Sequence, residues 1–271
     1  MKSLWLTTLL CFCSSSIGAQ IHSLVVVPAR VEKIAYPGEI INDGFRVRNP
    51  APTTSHVSVR VVDLWVTEDL VVLLGPRPEC SRSSVSWLKV TPSEMEMAPN
   101  SEQLVRFTAC VPQGIRTGAY WSAIQFTAGP SLMTRQTTDA GYCKASIVVP
   151  TILTVGSPLP SLRPAALSVE EVAGKAVALL TLENTGEGCT RTKGQFVVRN
   201  AAGIETCRFP VPEMHVLPGA RIRLRADCPT ELPVGDYTLT ASLDFGTVEI
   251  VVCDTGFRVE RSGIVRSVSQ P

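Results

Sequence analysis

The chain has few of the features that enzymes and polyanion-binding proteins need. It contains three histidines, His22, His56 and His215, and none of them lies beside a nucleophile motif such as GxSxG. Its 25 basic and 24 acidic residues leave a net charge of +1, and the basic residues are dispersed, which argues against nucleic-acid binding. Gly186-Glu187-Gly188 lacks the helix and lysine of a phosphate-binding loop. The sequence therefore predicts no catalytic residues, no cofactor and no enzyme activity.

Long apolar runs are also missing beyond the N-terminus. Lys2 precedes an apolar stretch from Leu4 to Phe12 and the small residues Ser14 to Ala19. This is the order of a signal peptide, so we expect residues 1–19 to be removed and the remaining chain to be exported. An uncleaved anchor is the alternative, but the run is only about ten residues, against the roughly 20 that a membrane span needs. The exported protein is predicted not to span a membrane.

The cysteines do not have the spacing of metal ligands. There is no CxxC pair and no Cys/His cluster, so we expect no metal site. Of the nine cysteines, Cys11 and Cys13 lie in the signal peptide. The other seven are Cys80, Cys110, Cys143, Cys189, Cys207, Cys228 and Cys253. In an exported protein these are disulfide candidates; the last four allow three pairings, and the odd total leaves at least one thiol free or intermolecular.

What the sequence has in quantity is turn residues and alternating apolar positions. Its 20 prolines and 19 glycines punctuate short Val- and Thr-rich segments, a pattern typical of all-β domains. The clearest stretch is Ser86–Phe126, which predicts three strands and two turns. Pro99 and Asn100 suit the first of these turns. Ser23–Tyr36 reads as a strand interrupted by Pro28, and is therefore an edge strand or one that switches between sheets.

Turn signals divide the chain into two halves of similar style. Residues 158–164 contain three prolines and no periodicity, which indicates a stiff linker. We predict two immunoglobulin-like β-sandwich domains in tandem, residues 20–157 and 165–260, followed by a short disordered tail at 261–271. In the second half, Pro218-Gly219 and Gly235-Asp236-Tyr237 echo Pro99-Asn100 and Gly118-Ala119-Tyr120, which suggests two related sandwiches.

The first half resembles the N-terminal domain of periplasmic pilus (fimbrial) chaperones. The resemblance lies in Pro28–Val31, Arg46–Pro50, Val90–Pro92, Met97–Asn100, Gln103–Arg106, Gly118–Trp121 and Ile147–Val155. It covers roughly half the chain at the level of pattern, and the second domain matches less well.

The resemblance implies that the strand after a long loop is donated to a client that lacks one. Main-chain hydrogen bonds then give affinity, and alternate side chains fill client pockets. The row that matches is Ile147, Val149, Thr151, Leu153 and Val155. The alternative is that these residues are ordinary sandwich core.

The family also holds the client's C-terminal carboxylate with a basic pair in the cleft between domains. Arg30 resembles the first position. Because Ile147–Val155 contains no Lys or Arg, Lys144 is the nearby substitute for the second. Pro150 is a further departure, since it removes one ladder donor. The alternative for Arg30 is a solvated strand residue.

The resemblance implies a periplasmic chaperone-like protein that binds pilins or other secreted β-rich subunits by strand donation. It also raises an outer-membrane usher as a second partner. The alternative is a structural or adhesive cell-envelope protein built of immunoglobulin-like modules. An exposed edge at Ile147–Val155 favours the first hypothesis, whereas a strand paired on both sides leaves it without a mechanism.

Overall fold

A computed structural model describes most of the chain. It covers residues 23–76, 81–131, 144–246 and 250–261, and the backbone of 265–268. The predicted signal peptide, Cys80 and Cys143 lie outside the described residues.

The first half of the chain forms a sandwich of two β-sheets. Its strands are β1 (Val25–Val27), β2 (Val31–Ala35), β3 (Ile40–Arg48), β4 (Ser55–Val62), β5 (Leu64–Val66), β6 (Val72–Leu74), β7 (Leu88–Thr91), β8 (Glu94–Met97), β9 (Glu102–Cys110), β10 (Gly118–Pro130) and β11 (Ala145–Val155). One sheet has the order β1-β3-β9-β7 and the other β2-β11-β10-β4-β8, while β5 pairs with β6. Phe45 anchors the core between the sheets, with its ring 5.5 Å from that of Phe107 and 5.3 Å from that of Phe126.

The second half forms another sandwich. Its strands are β12 (Leu162–Val172), β13 (Lys175–Asn184), β14 (Thr190–Arg191), β15 (Lys193–Asn200), β16 (Glu205–Pro210), β17 (His215–Val216), β18 (Arg221–Asp227), β19 (Gly235–Asp244), β20 (Ile250–Val259) and β21 (Val265–Val268). The sheets are β12-β13-β18 and β16-β15-β19-β20-β21, with β14 paired to β17. The predicted all-β fold, two immunoglobulin-like sandwiches in tandem, is confirmed.

The strand switch predicted near Pro28 is also confirmed. β1 pairs with β3 in one sheet, and β2 pairs with β11 in the other. Each is at the edge of its sheet. Because proline has no N–H to give to a ladder, the chain changes sheets where pairing has to stop.

Two predictions about strand number were wrong. Ser86–Phe126 contains four strands, not three, because the segment breaks at Pro92 and places β7 and β8 in different sheets. The tail predicted as disordered from Arg261 contains β21, which pairs antiparallel with β20 from Gly256 to Val259. The free edge of β20 explains why the tail forms a strand, because its unpaired backbone groups can hydrogen-bond to a segment that follows it in the chain. β12 begins at Leu162, within the predicted linker.

Tyrosine hydroxyls brace the two sandwiches in the same way. Tyr120 donates to the carbonyl of Arg116 at 2.9 Å, and Tyr237 donates to the carbonyl of Pro233 at 2.8 Å. Each bond reaches four residues upstream at the start of a long strand. This is the tyrosine corner of immunoglobulin-like folds.

A buried asparagine also recurs. The side-chain amide of Asn49 donates to the carbonyl of Met97 at 3.2 Å, just before the turn at Asn100. The amide of Asn184 donates to the carbonyl of Val216 at 3.0 Å, just before the turn at Gly219. Both asparagines are fully buried. The recurrence supports the predicted relation between the two halves.

The sandwiches contact each other through both polar and apolar groups. Arg223 forms ion pairs with Glu68, at 2.6 Å, and with Asp69, at 2.8 Å. Trp121 lies with Leu217 in an apolar cluster that spans the junction. These contacts fix the cleft described below.

Glycines allow the linker to pack against the second sandwich. A Cβ at Gly186 would lie 2.5 Å from the carbonyl oxygen of Leu159 and 2.5 Å from the amide nitrogen of Ser161. The amide of Glu187 also donates to the Leu159 carbonyl, at 3.1 Å. The pattern Gly-Glu-Gly is thus explained by close backbone approach.

We expect Gly186→Ala to destabilise the protein by about 1–3 kcal/mol, because neither backbone can move without opening the junction. Urea denaturation measures the change. Gly256→Ala is the matched control: nothing lies within 4 Å of its added Cβ. The control should change stability by less than about 0.5 kcal/mol. Equal effects of the two substitutions would contradict this explanation.

Candidate functional site

The strand β11 is paired along only part of one side. On one side it pairs with β10 over its whole length, from Ala145 to Val155. On the other it pairs with β2, and only from Thr151 to Val155. Within the part of the chain that the structure describes, no strand pairs with Ala145–Pro150 on that second side. We call this half of the strand the open edge.

Proline at position 150 suits this arrangement. Prolines in sheets lie at edges with the nitrogen turned away from the partner strand. Trp121 of β10 donates its N–H to the carbonyl of Arg82, away from β11, and Ala123, two residues on, has the same orientation. Pro150 is opposite Ala123, so its nitrogen faces the open side. Backbone groups alternate in direction along a strand, which places the N–H groups of Ser146 and Val148 on the open side too. The departure noted in the sequence therefore does not disturb the ladder with β10.

The side-chain row predicted for strand donation faces the protein's own core. Val149, Thr151, Leu153 and Val155 are 0–1% exposed, and their apolar members pack in the first core cluster. Ile147 is partly exposed at the rim of that cluster. Four of the five residues are therefore ordinary sandwich core, which was the alternative interpretation of this row. Ile147 is the one whose side chain another strand could contact at the open edge.

Thr151 gives a way to separate a core role from a binding role. Its hydroxyl is buried without a hydrogen-bond partner in the described structure. Thr151→Val replaces the hydroxyl by a methyl of similar shape, so we expect a stability gain of about 1 kcal/mol and no change in the binding of an added strand at the open edge. Thermal unfolding and a binding titration measure the two effects. A loss of binding by a stable Thr151→Val variant would mean that this side chain contacts the added strand.

Arg30 and Lys144 are not brought together. Val31 is opposite Thr151, so Arg30 lies beside the Pro150 end of the open edge. Lys144 immediately precedes β11, about six residues and roughly 20 Å away along the strand. Lys144 is therefore at the far end of the open edge from Arg30, and cannot share one carboxylate with it.

The second sandwich supplies the groups that surround Arg30. The guanidinium of Arg30 donates to Glu32 of the first sandwich at 3.0 Å and contacts Nε2 of His215 of the second sandwich. Arg191 also donates to Nε2 of His215, at 2.6 Å. Because arginine can only donate, these two contacts favour a neutral imidazole whose Nε2 accepts, while Oε1 of Glu32 lies 3.4 Å from the same nitrogen. Burial and the neighbouring Arg30 lower the pKa of His215, in keeping with that neutral form.

These residues border a cleft between the two sandwiches. The cleft has a volume of about 400 Å³. Its lining includes Glu32 and Thr154 from the first sandwich, and Arg191, Lys193, His215 and Asp244 from the second. The lining thus holds two basic groups, Arg191 and Lys193, and two carboxylates, Glu32 and Asp244. Arg30 adds a guanidinium at the border of the cleft through its contact with His215.

Sequence reasoning missed the contribution of the second sandwich. It gave His215 no functional role and did not single out Arg191. Arg191 and His215 are opposite each other on β14 and β17, which have two residues each. Such short strands leave no periodicity to detect, and only the tertiary fold places them against Arg30.

A cysteine beside His215 does not make the cleft a catalytic centre. The thiol of Cys189 lies 3.6 Å from Nδ1 of His215. Burial raises the pKa of Cys189 to about 12, so it is a protonated thiol at neutral pH. A nucleophilic cysteine needs a depressed pKa instead. The geometry thus gives no support to thiol catalysis.

The described residues also lack a metal-binding cluster and a membrane-spanning helix. Residues 23–76, 81–131, 144–246 and 250–261 contain no cluster of three or more His, Cys, Asp or Glu placed to hold a metal ion. Across this described part of the chain, no helix has the length and apolar character required to cross a membrane.

Comparisons with known proteins give similarity in structure only. No protein-family model matches the chain, and no curated protein matches it. Among solved structures it is similar to the class 5 fimbriae chaperone CfaA, with 12% identity and a TM-score of 0.46 over 85% of this chain and 98% of that chain. It is also similar to a chain of the Salmonella enterica SafA pilin–SafB chaperone complex, with 16% identity and a TM-score of 0.44 over 87% and 97% of the two chains.

A third similar structure is the E. coli chaperone DraB, with 14% identity and a TM-score of 0.42 over 86% of this chain and 99% of that chain. At these identities and TM-scores, the roles of individual residues have to be judged from the geometry of this chain.

Proposed function

We propose that the protein is a periplasmic chaperone-like protein that binds incomplete β-rich subunits, such as pilins, by pairing a client strand with the open edge of β11. The observation that carries the proposal is the open edge itself, Ala145–Pro150, which ends beside Arg30 near the cleft. Main-chain N–H and C=O groups on such an edge can bind another chain without a dedicated pocket.

The geometry sets where a client strand would stop. β2 occupies the side of β11 from Thr151 onward, so an added strand can extend no further than Pro150. Arg30 immediately precedes β2 and lies at this stop. A client that ends here would place its terminal carboxylate by Arg30, and its last strand would then run parallel to β11.

The charges at the stop favour that carboxylate. Arg30 is 38% exposed on its side chain and pairs with Glu32, an exposed ion pair that contributes little to stability. A terminal carboxylate could replace Glu32 on the guanidinium without leaving an unpaired buried charge. Charge-assisted hydrogen bonds of this kind are about twice as strong as neutral ones.

Side-chain selectivity would come from the rim of the core. Ile147 is partly exposed and packs against the first core cluster. A client whose sandwich lacks a strand could extend this cluster across the open edge. Deeper residues of the row, such as Val149 and Leu153, would support the strand from within rather than touch the client.

A matched pair of clients tests the proposal. One is an immunoglobulin-like pilin subunit that lacks its last strand, and the other is the same subunit with that strand supplied in its own chain. We expect the purified protein to form a one-to-one complex with the first and not with the second, as measured by calorimetry. Equal binding of both clients would contradict strand addition. Self-association without client binding would instead support a structural envelope module.

A further inference from the structure

Two buried thiols lie together in the second sandwich. The Sγ atoms of Cys207 and Cys228 are 3.5 Å apart, and the residues are 7% and 5% exposed. Cys207 is on β16, an edge strand of the five-stranded sheet. Cys228 follows β18, an edge strand of the three-stranded sheet. The pair therefore spans the two layers of the sandwich along one side.

We propose that Cys207 and Cys228 form a disulfide that joins the two sheets of the second sandwich. The bond would need the sulfur atoms to approach to about 2.05 Å, which small rotations of both side chains can supply. The backbone of each cysteine is held in place by its own sheet. The amide of Cys228 donates to the carbonyl of Ala176 at 2.8 Å, and Cys207 is paired with Val198.

The fold disfavours the other pairings within this domain. Cys253 is on β20, three strands away from β16 in the same sheet. Strand spacing puts this separation at roughly 14 Å, well beyond the reach of a disulfide from Cys207. Cys189 lies at the cleft, with its thiol against His215. Of the three pairings that the sequence allows, the geometry points to the one that joins Cys207 to Cys228.

The bond would form by thiol–disulfide exchange with a small disulfide such as oxidised glutathione. One cysteine thiolate attacks the small disulfide, forming a mixed disulfide and releasing one glutathione thiolate. The second cysteine thiolate then attacks the protein sulfur of the mixed disulfide and releases the other. Two protein thiols lose two protons and two electrons, and the oxidant is reduced to two thiols.

The burial of the two cysteines determines when the disulfide can form. Burial raises the pKa of Cys228 to about 11, so this thiol offers little thiolate at neutral pH, and both sulfur atoms are shielded from an oxidant in the folded domain. Exchange should therefore occur while the sandwich is folding, before both sulfurs are covered. Folded, fully reduced protein should oxidise slowly in the same buffer.

The test is oxidative refolding of the full chain in a glutathione redox buffer, followed by alkylation, proteolysis and mass spectrometry. We expect a linked peptide containing Cys207 and Cys228, lighter by about 2 Da than the sum of the reduced peptides. Reduction should lower the Tm of the second sandwich by on the order of 10 °C. Both cysteines recovered as alkylated thiols, or either one linked elsewhere, would overturn the proposal.

Single variants assign the Tm change. For Cys207→Ala and for Cys228→Ala, the Tm of the second sandwich should be the same with and without a reducing agent. Cys110→Ser, at an exposed position on β9, is the control and should keep the response. If either alanine variant fails to fold, the linked peptide of the wild-type protein decides the question alone.

Discussion

Ser146→Pro should weaken client binding at least about tenfold. Position 146 is on the open edge, and its N–H is inferred to face a client strand. Proline removes that donor, and its ring obstructs the approach of a second backbone, so the loss should exceed that of one hydrogen bond, about 1 kcal/mol or more. The ladder with β10 should remain, because the preceding Ala145 is already in a strand, which proline tolerates. Calorimetry with the strand-lacking subunit measures the loss.

Ser146→Ala is the matched control. It keeps the N–H and removes only the hydroxyl, which accepts a hydrogen bond from Gln125 at the surface, at 3.0 Å. Binding should stay within about twofold of wild type, which corresponds to a few tenths of a kcal/mol. If the alanine variant binds as poorly as the proline variant, the side chain rather than the backbone edge mediates binding.

Arg30→Ala should weaken binding of a client with a free C-terminal carboxylate by about 10- to 100-fold. Hydrogen bonds to charged groups contribute about 1.5–3 kcal/mol, which sets this range. Arg30→Lys should retain part of the affinity, because it keeps the charge but loses the planar fork of donors. The loss should shrink for a client whose terminal carboxylate is amidated.

Arg46→Ala is the control for charge. Arg46 is exposed on β3, in the other sheet of the first sandwich. Its replacement by alanine removes the same charge from the protein as Arg30→Ala does. Arg46 is opposite Val27 of β1 and does not border the open edge of β11, so its replacement should leave client binding within about twofold of wild type. An equal loss for Arg46→Ala and Arg30→Ala would indicate long-range attraction and not a carboxylate anchor.

Much of the fold could be predicted because its signals are local. Alternation and turn residues predicted strands on both sides of the turn at Pro99 and Asn100, and the apolar row Ile147–Val155 lies within β11. The sequence echo around Tyr120 and Tyr237 corresponds to matching tyrosine corners in the structure. A proline that interrupts an alternating run, as Pro28 does, marked a change of sheet.

The strands that were missed lack a strong local signal. β5 lies at the end of His56–Val66, which predicts one continuous strand, and β6 lies in a short apolar run within the polar segment Thr67–Ser84. The two strands have three residues each and form a hairpin. β21 has four residues, and its pairing with β20 is a tertiary contact. In both cases a neighbouring edge selects the strand, which a single segment does not reveal.

The candidate site was less predictable than the fold. Alternation identified the row from Ile147 to Val155, but the same pattern arises in a core strand, and four of its residues are buried. Whether such a strand has an open side depends on where β2 starts. The groups around Arg30 come from the other sandwich, so their proximity could not be deduced from spacing along the chain.

Amide hydrogen exchange tests the open edge most directly. The strand-lacking subunit is added to the protein, and the amides of Ala145–Val155 are followed by NMR or fragment mass spectrometry. We predict strong new protection of the Ser146 and Val148 amides, because a client strand would give them partners, with little change at Val149 and Ile147, whose amides already face β10. Binding of the client with no added protection at Ser146 and Val148 would contradict strand addition at this edge.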